Sequence, residues 1–271
     1  MSYRYQIHLH TSLSSECGRA KGSEYARFYK EHGYDGIFIT DHFYLGNTCV
    51  PRSLPWEEWV HRYCDAWREA KETGDQIGLK VFFGWETSYA AEDFLIYGLG
   101  EDWLLAHPEI IRWNQAEQYA AIHAAGGLVV QAHPFRERWY QSEIKLHPWH
   151  CDVMETANDG NRPYMDALAF SYAREHGIPM IAGADLHKME KAVSSLDYAL
   201  ETEEAVESEA DFARRILSGR GFTFHAPEGR FTAEHRNAYF SVYEYDRENG
   251  RHEIVYHPWP DAPTADQPLH P

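Results

Sequence analysis

The chain has no pair of cysteines at the spacing of a redox or metal motif. Cys17, Cys49, Cys64 and Cys151 form no C-x-x-C and follow no regular framework, which argues against a disulfide scaffold and for reduced thiols in the cytoplasm. Long apolar runs are missing as well. None approaches the roughly 20 residues needed to span a bilayer, and the opening stretch Met1–His10 lacks the basic and apolar regions of a secretory signal. The expectation is a soluble, cytoplasmic protein with no membrane partner. Positive charge is scarce: 25 Lys and Arg stand against 42 Asp and Glu, a formal net charge of −17. Such a surface repels nucleic-acid phosphates, so duplex binding is not expected. The same charge suits a site that gathers divalent cations. What the chain does hold is material for a sizeable core, 44% hydrophobic and 15% aromatic residues, and an unusual store of 17 histidines.

Short apolar runs alternate with longer amphipathic segments. Strands are expected at Tyr5–His10, Gly36–Thr40, Leu79–Trp85, Phe94–Leu99, Leu128–Ala132, Cys151–Thr156 and Pro179–Ala182. Helices are expected at Ser23–Glu31 with Ser23 as N-cap, Trp56–Glu72, Gln115–Ala125 and Pro163–His176. Strands alternating with helices indicate βαβ units and a mainly parallel sheet, and seven strands before residue 190 favour closure into a barrel. Further on, Asn249-Gly250 signals a hairpin turn between Ala238–Tyr245 and His252–His257. The tail Pro258–Pro271 carries five prolines and is expected to lack regular structure.

Five of these strands run directly into metal-capable side chains. His8 and His10 lie two apart, so both rings share one strand face. Asp41 and His42 follow Gly36–Thr40, Glu86 follows Val81–Trp85, and His133 follows Leu128–Ala132, locked by Pro134. Asp185 and His187, again two apart, follow Met180–Ala184. A lone H-x-H is commonly a hydrogen-bonded pair, and an Asp-His a helix cap. In a parallel barrel, however, the C-terminal strand ends converge on one rim. His8, His10, His42, Glu86, His133, Asp185 and His187 would meet there, too many for one tetrahedral ion, and a carboxylate such as Glu86 can bridge two.

Four motifs carry a resemblance to a known family: His8-Leu9-His10-Thr11, Ile39-Thr40-Asp41-His42, Gly127 through Phe135, and Gly183-Ala184-Asp185-Leu186-His187. In this order and spacing, over residues 5–190, they resemble the PHP (polymerase and histidinol phosphatase) superfamily of metal-dependent phosphoesterases. The resemblance implies a distorted seven-stranded β/α (TIM-like) barrel over residues 1–222. Residues 223–271 would form a short C-terminal hairpin and Pro-rich tail, packed on the barrel or trailing from it. It also implies two or three divalent ions (Zn, Mn or Fe) held by His8, His10, Glu16, His42, Glu86, Asp93, His133, Asp185 and His187. Glu16 takes the family's acidic or histidine position in the first loop. Asp93, beside Glu92, stands where relatives often have His, a departure that keeps a hard ligand.

Glu86, Asp185 and His187 are the residues expected to carry catalysis, with Asp41 and His187 as candidates for proton handling. Phosphate needs positive partners, and Arg136, Arg162 and Arg19 lie in the loops around the rim, where a guanidinium can bind phosphate bidentately. Arg136 ranks first because His133 anchors its loop, and Glu155 ends a strand at the same rim. The expected reaction is hydrolysis of a small phosphate monoester (a nucleotide, sugar phosphate or histidinol-phosphate-like ester) by a hydroxide bridging two ions. Other readings fit less well. An amidohydrolase-type C–N hydrolase also opens with H-x-H, but it generally lacks the second His after its Asp and often uses a central-strand Lys not found here. A polymerase-associated nuclease calls for a basic groove. A non-catalytic metal-binding or regulatory PHP domain calls for a degraded ligand set.

Overall fold

Apolar runs rich in β-branched and aromatic residues pack as strands, and amphipathic runs cover them as helices. The structure, a computed structural model, describes residues 2–90, 92–232, 238–254 and 256. The first half contains β1 (Tyr3–Gln6), α1 (Gly22–Glu31), β2 (Gly36–Ile39), α2 (Trp56–Ile77), β3 (Lys80–Phe83), β4 (Trp85–Tyr89) and β5 (Glu92–Tyr97). There follow α3 (Glu101–Ala106), α4 (Gln115–Ala124), β6 (Leu128–Ala132), β7 (Glu143–Leu146), β8 (Val153–Asn158), α5 (Pro163–Glu175) and β9 (Met180–Gly183). The chain continues through α6 (Ala192–Ser195), β10 (Ala199–Thr202), α7 (Glu209–Leu217), β11 (Phe222–His225), β12 (Ser241–Tyr245) and β13 (Arg251–Ile254).

Local chemistry sets several boundaries. Helix α1 begins at Gly22, so Ser23 is not its cap; Lys21 is, and its N–H donates to Glu24 Oε2 at 2.8 Å. Helix α2 outruns the expected end at Glu72 because its buried stripe continues through Ala70, Thr73 and Gly74. It stops at Gly78, whose φ of +70° suits glycine.

The strands form two five-stranded sheets, ordered β11-β10-β1-β2-β3 and β4-β5-β6-β8-β9, and a smaller sheet β13-β12-β7. They are mixed, not mainly parallel. A tight connection after Tyr89 turns β5 back along β4, making it antiparallel to both neighbours. The expected strand Leu79–Trp85 divides at Gly84: β3 pairs with β2 and β4 with β5. A Cβ at Gly84 would lie 2.9 Å from the Ile96 carbonyl oxygen, so glycine permits this passage between sheets.

The large sheets do not close into one continuous barrel ladder. They meet through single bridges, Leu9 with Leu186 and His42 with Glu86. At the first seam a side chain stands in for the ladder. Gln6 is fully buried, and its Oε1 accepts from the N–H groups of Ile7, His8 and Ala184 at 3.0, 3.3 and 2.9 Å. Between the sheets lies a core of Tyr5, Ile7, Phe38, Leu95, Tyr97 and Val130. Tyr97 crosses it to donate to the Ile7 carbonyl at 2.7 Å.

Strand β11 spans the expected boundary at residue 222 and pairs along its length with β10. The C-terminal hairpin β12–β13 forms as its turn signal indicates, with Asn249 at φ +64°, and β12 lies parallel to β7. His257 and the Pro-rich tail 258–271 lie outside the described residues. Among the described residues no helix is long and apolar enough to cross a membrane.

Candidate metal centre

The two seams bring the predicted ligands to one end of the sheets. Glu86, on β4, is the hub. Its Oε1 lies 3.3 Å from both His8 Nε2 and His133 Nε2, and its Oε2 lies 2.7 Å from His42 Nδ1 and 3.6 Å from His10 Nε2. Asp185 Oδ1 stands 3.0 Å from His10 Nε2 and 3.5 Å from His8 Nε2. His187 stacks on His10 at 4.4 Å between ring centroids, and His42 does so at 4.2 Å. Three sets of ligand atoms fall within 4.8 Å of one another: His10, His42 and His187; His8, Glu86 and His133; His8, His10 and Asp185. Ions with bonds of roughly 2.0–2.6 Å can be reached from such sets. Glu86 Oε2 and His42 Nδ1, buried 2.7 Å apart, are poorly aligned for a hydrogen bond with each other and have no other hydrogen-bond partner among the described residues. Buried lone pairs of this kind are costly unless something satisfies them, and a divalent cation does.

Surrounding groups orient the ligands. Glu155, fully buried on β8, accepts from His8 Nδ1 at 2.8 Å, which fixes the tautomer and leaves His8 Nε2 facing the centre. Its other oxygen takes the His133 N–H and Asn158 Nδ2 at 3.2 and 2.8 Å. His187 Nδ1 donates to the Asp185 carbonyl at 2.8 Å. Asp41 gathers the first loop, accepting from Thr11 N, Thr11 Oγ1 and Ser15 Oγ at 2.6, 2.8 and 2.6 Å. Two ligand residues hold left-handed backbone, His133 at φ +33° and Asp185 at φ +51°. Each such residue costs on the order of 1–3 kcal/mol, a strain that concentrates at functional sites.

The charges are strongly coupled. Burial pushes the Glu86 carboxyl up, but His42, His133 and His8 overcome it and hold it well below the usual carboxylate range. Burial acts likewise on Asp185, and Arg136, His8 and His187 reverse it. Burial lowers His8 and His42, yet Glu155 and Asp185 raise the first and Glu86 the second, leaving both well above 6.5. His10, buried against His42 and His187, is held well below it. Asp41 is pushed up to about 6 by burial, against the hydrogen bonds it accepts.

The remaining predicted residues divide. Asp93 Oδ2 lies 3.9 Å from His133 Nε2, at the edge of the centre. Its neighbour Glu92 turns away to pair with His147 and Lys145. Glu16 is exposed, with its N–H on the Asn47 carbonyl and its own carbonyl taken by Arg19. It is not brought to the other ligands. Arg19 and Arg162 are exposed. Arg136 is at the centre, but its guanidinium is already engaged: Nη1 with Asp185 Oδ2 at 2.6 Å, Nη2 with Asn158 Oδ1 at 2.7 Å and Nε with Asn161 Oδ1 at 2.8 Å. Sequence reasoning did not single out Cys17, Gln6, Arg138, Lys145 or the Asn158–Asn161 pair. Only Cys17, next to the expected loop ligand, carried a signal that could have found it. Burial raises its thiol, but the nearby imidazoles of His187 and His42 outweigh burial and bring it down to about 6.

The family model of the PHP domain matches residues 6–216. Among curated proteins the sequence has no match. Among solved structures, one similar chain is a two-domain protein from Bacteroides vulgatus containing a predicted PHP-like metal-dependent phosphoesterase. Its TM-score is 0.57 at 14% identity, over 86% of this chain and 68% of that one. PsfC from Pseudomonas syringae is similar with a TM-score of 0.50 at 12% identity, over 85% of this chain and 94% of that one. An amidohydrolase from Chromobacterium violaceum, with bound sulfate and no metal, gives 0.48 at 14% identity, over 79% and 96%. At such identities the likeness is one of fold.

Proposed function

The chain belongs to the PHP domain family, and we propose that it hydrolyses a phosphate monoester of a small molecule with two or three divalent ions in this centre. The observation that carries the reading is Glu86, one carboxylate within 3.6 Å of four imidazoles contributed by three separate segments. The three ligand sets described above would hold the ions. When bound, divalent ions supply a nucleophile at neutral pH and neutralise charge on the ester.

The protein's own part is positioning. Glu155 keeps His8 in the liganding tautomer, and Arg136 holds Asp185 in place. A shallow cleft open to solvent adjoins the centre between Asp93, His133, Arg136 and Lys145. Arg136 and Lys145 line that cleft paired with Asp185 and Glu92, and the reading of an anionic phosphate substrate is supported by the PHP family match. Four unpaired cysteines support a reducing compartment such as the cytoplasm.

Phosphate release from a panel of monoesters, with Zn, Mn or Fe supplied, tests the reading against a parallel panel of amides. Ester turnover that needs metal and disappears in Glu86→Gln is the expected result. Amide turnover without ester turnover would overturn the phosphate assignment while leaving a hydrolase.

A further inference from the structure

The match to the PHP domain ends at residue 216, but the chain runs on through β11 into a turn that packs back on α5. The Arg230 N–H donates to the Pro227 carbonyl at 3.0 Å and the Thr232 N–H to the Gly229 carbonyl at 3.1 Å. Phe231 stacks on Phe170 of α5 at 4.4 Å between ring centroids and holds the turn in place. Arg230 is thereby sent inward, its side chain 10% exposed. Its Nε donates to Asp166 Oδ2 at 2.6 Å, and its Nη2 donates to the carbonyls of Asn158 and Asn161, each at 2.8 Å.

These three acceptors close the loop between β8 and α5. Asp166, fully buried in the first turn of α5, also accepts from the Asn158 N–H at 3.0 Å and from Asn161 Nδ2 at 2.8 Å. A carboxylate only accepts and a guanidinium only donates, so the Asn161 amide has one possible orientation. With Nδ2 on Asp166, its Oδ1 must face Arg136, whose Nε donates to it at 2.8 Å. Asn158 is fixed in the same way, Nδ2 on Glu155 Oε2 and Oδ1 under Arg136 Nη2. Arg136 Nη1 then takes Asp185 Oδ2 at 2.6 Å, and Asp185 Oδ1 is left toward His10 and His8.

We propose that Arg230 is a positioning residue of the metal centre, supplied from beyond the family domain and acting through Arg136. The proposal rests on the metal-centre reading above. A cation that served only to neutralise Asp166 would need one bond; two of the three go to the backbone of the loop that carries both Arg136 acceptors. Without that guanidinium, two carbonyl oxygens and a carboxylate converge with nothing between them and repel. The loop then opens, Arg136 loses its seat, and the Asp185 carboxylate is free to rotate away from His8 and His10.

The test is the Zn²⁺ affinity of the folded full chain, measured by competition with a chromophoric chelator, beside denaturant unfolding of the metal-free protein. Arg230→Met should weaken Zn²⁺ binding about 10–100-fold, the range found when a group behind a ligand is removed. Arg230→Lys keeps the charge on Asp166 and so guards against a variant that does not fold. It should weaken binding as well, because an ammonium lacks the rigid fork that meets a carboxylate and two carbonyls together. In an Arg136→Ala background, either Arg230 substitution should change affinity by less than about twofold, since the route to Asp185 is already cut. A purely structural Arg230 would lower unfolding free energy and leave Zn²⁺ affinity within about twofold of wild type, which overturns the proposal. Losses of equal size with and without Arg136 overturn the route through it. Wild type that takes up no Zn²⁺ overturns the metal-centre reading and this proposal together.

Discussion

Glu155→Gln perturbs the centre without touching a predicted ligand. The native carboxylate accepts three hydrogen bonds, from His8 Nδ1 at 2.8 Å, Asn158 Nδ2 at 2.8 Å and the His133 N–H at 3.2 Å. Glutamine keeps the shape but has one acceptor oxygen where the site needs two. If its oxygen faces His8, its NH₂ confronts the donors of Asn158 and His133. If it turns over, His8 Nδ1–H faces an amide donor instead. Either way a fully buried donor loses its partner, at about 1–3 kcal/mol, and His8 loses the charge that raises its basicity. Metal affinity should fall about 10–100-fold, or roughly 1.4–2.7 kcal/mol. Competition with a chromophoric chelator measures this directly, and denaturant unfolding of the metal-free protein measures the stability loss. Affinity unchanged within about twofold would refute the argument that Glu155 sets the His8 tautomer.

Other expectations follow from the same geometry. Glu86→Gln should keep the fold by circular dichroism but lower ester turnover on the order of 10²–10³-fold, the scale for losing one preorganised charge-stabilising group; near-normal turnover would show that Glu86 is not the hub. Metal binding needs neutral imidazoles, and His8 and His42 sit well above 6.5 in the metal-free protein despite burial, because Glu155 and Asp185 raise the first and Glu86 the second. Protons therefore compete from well above pH 6.5 downward, so affinity should weaken as the pH is lowered, and a chelator titration that is flat with pH would contradict it. Arg136→Ala leaves Asp185, 5% exposed in its side chain, without its 2.6 Å ion-pair partner. The metal-free protein should lose on the order of 3 kcal/mol of unfolding free energy, partly recovered when metal is added, whereas a silent substitution would make Arg136 a bystander.

The H-x-H and D-x-H pairs were legible because a spacing of two on a strand end puts both side chains on one face whatever the rest of the fold does. The same holds for Glu86 and His133, each directly after an apolar run. So the hub and six of its companions could be named from local pattern alone. The strands behind them were legible for the same reason, as were α2 with its aromatic stripe and the Asn249-Gly250 hairpin. The short strands β7 and β11 do alternate, Glu143-Ile144-Lys145-Leu146 and Phe222-Thr223-Phe224-His225, but four residues are too few to mark a strand without the neighbour that offers a ladder.

What the tertiary structure decided depended on contacts distant in sequence. The direction of β5 came from its pairing with β4 and β6, the split at Gly84 from the close approach of Ile96, and the open seam from Gln6 reaching Ala184. Arg136 looked free for substrate in sequence, but it is drawn to Asp185, 49 residues away. The exposure of Glu16 turned on Asp41 and His187 clamping the loop from two different strand ends. Periodicity tells which face a side chain shares with its neighbours in sequence; only the packed chain brings the distant partners that determine what that face meets.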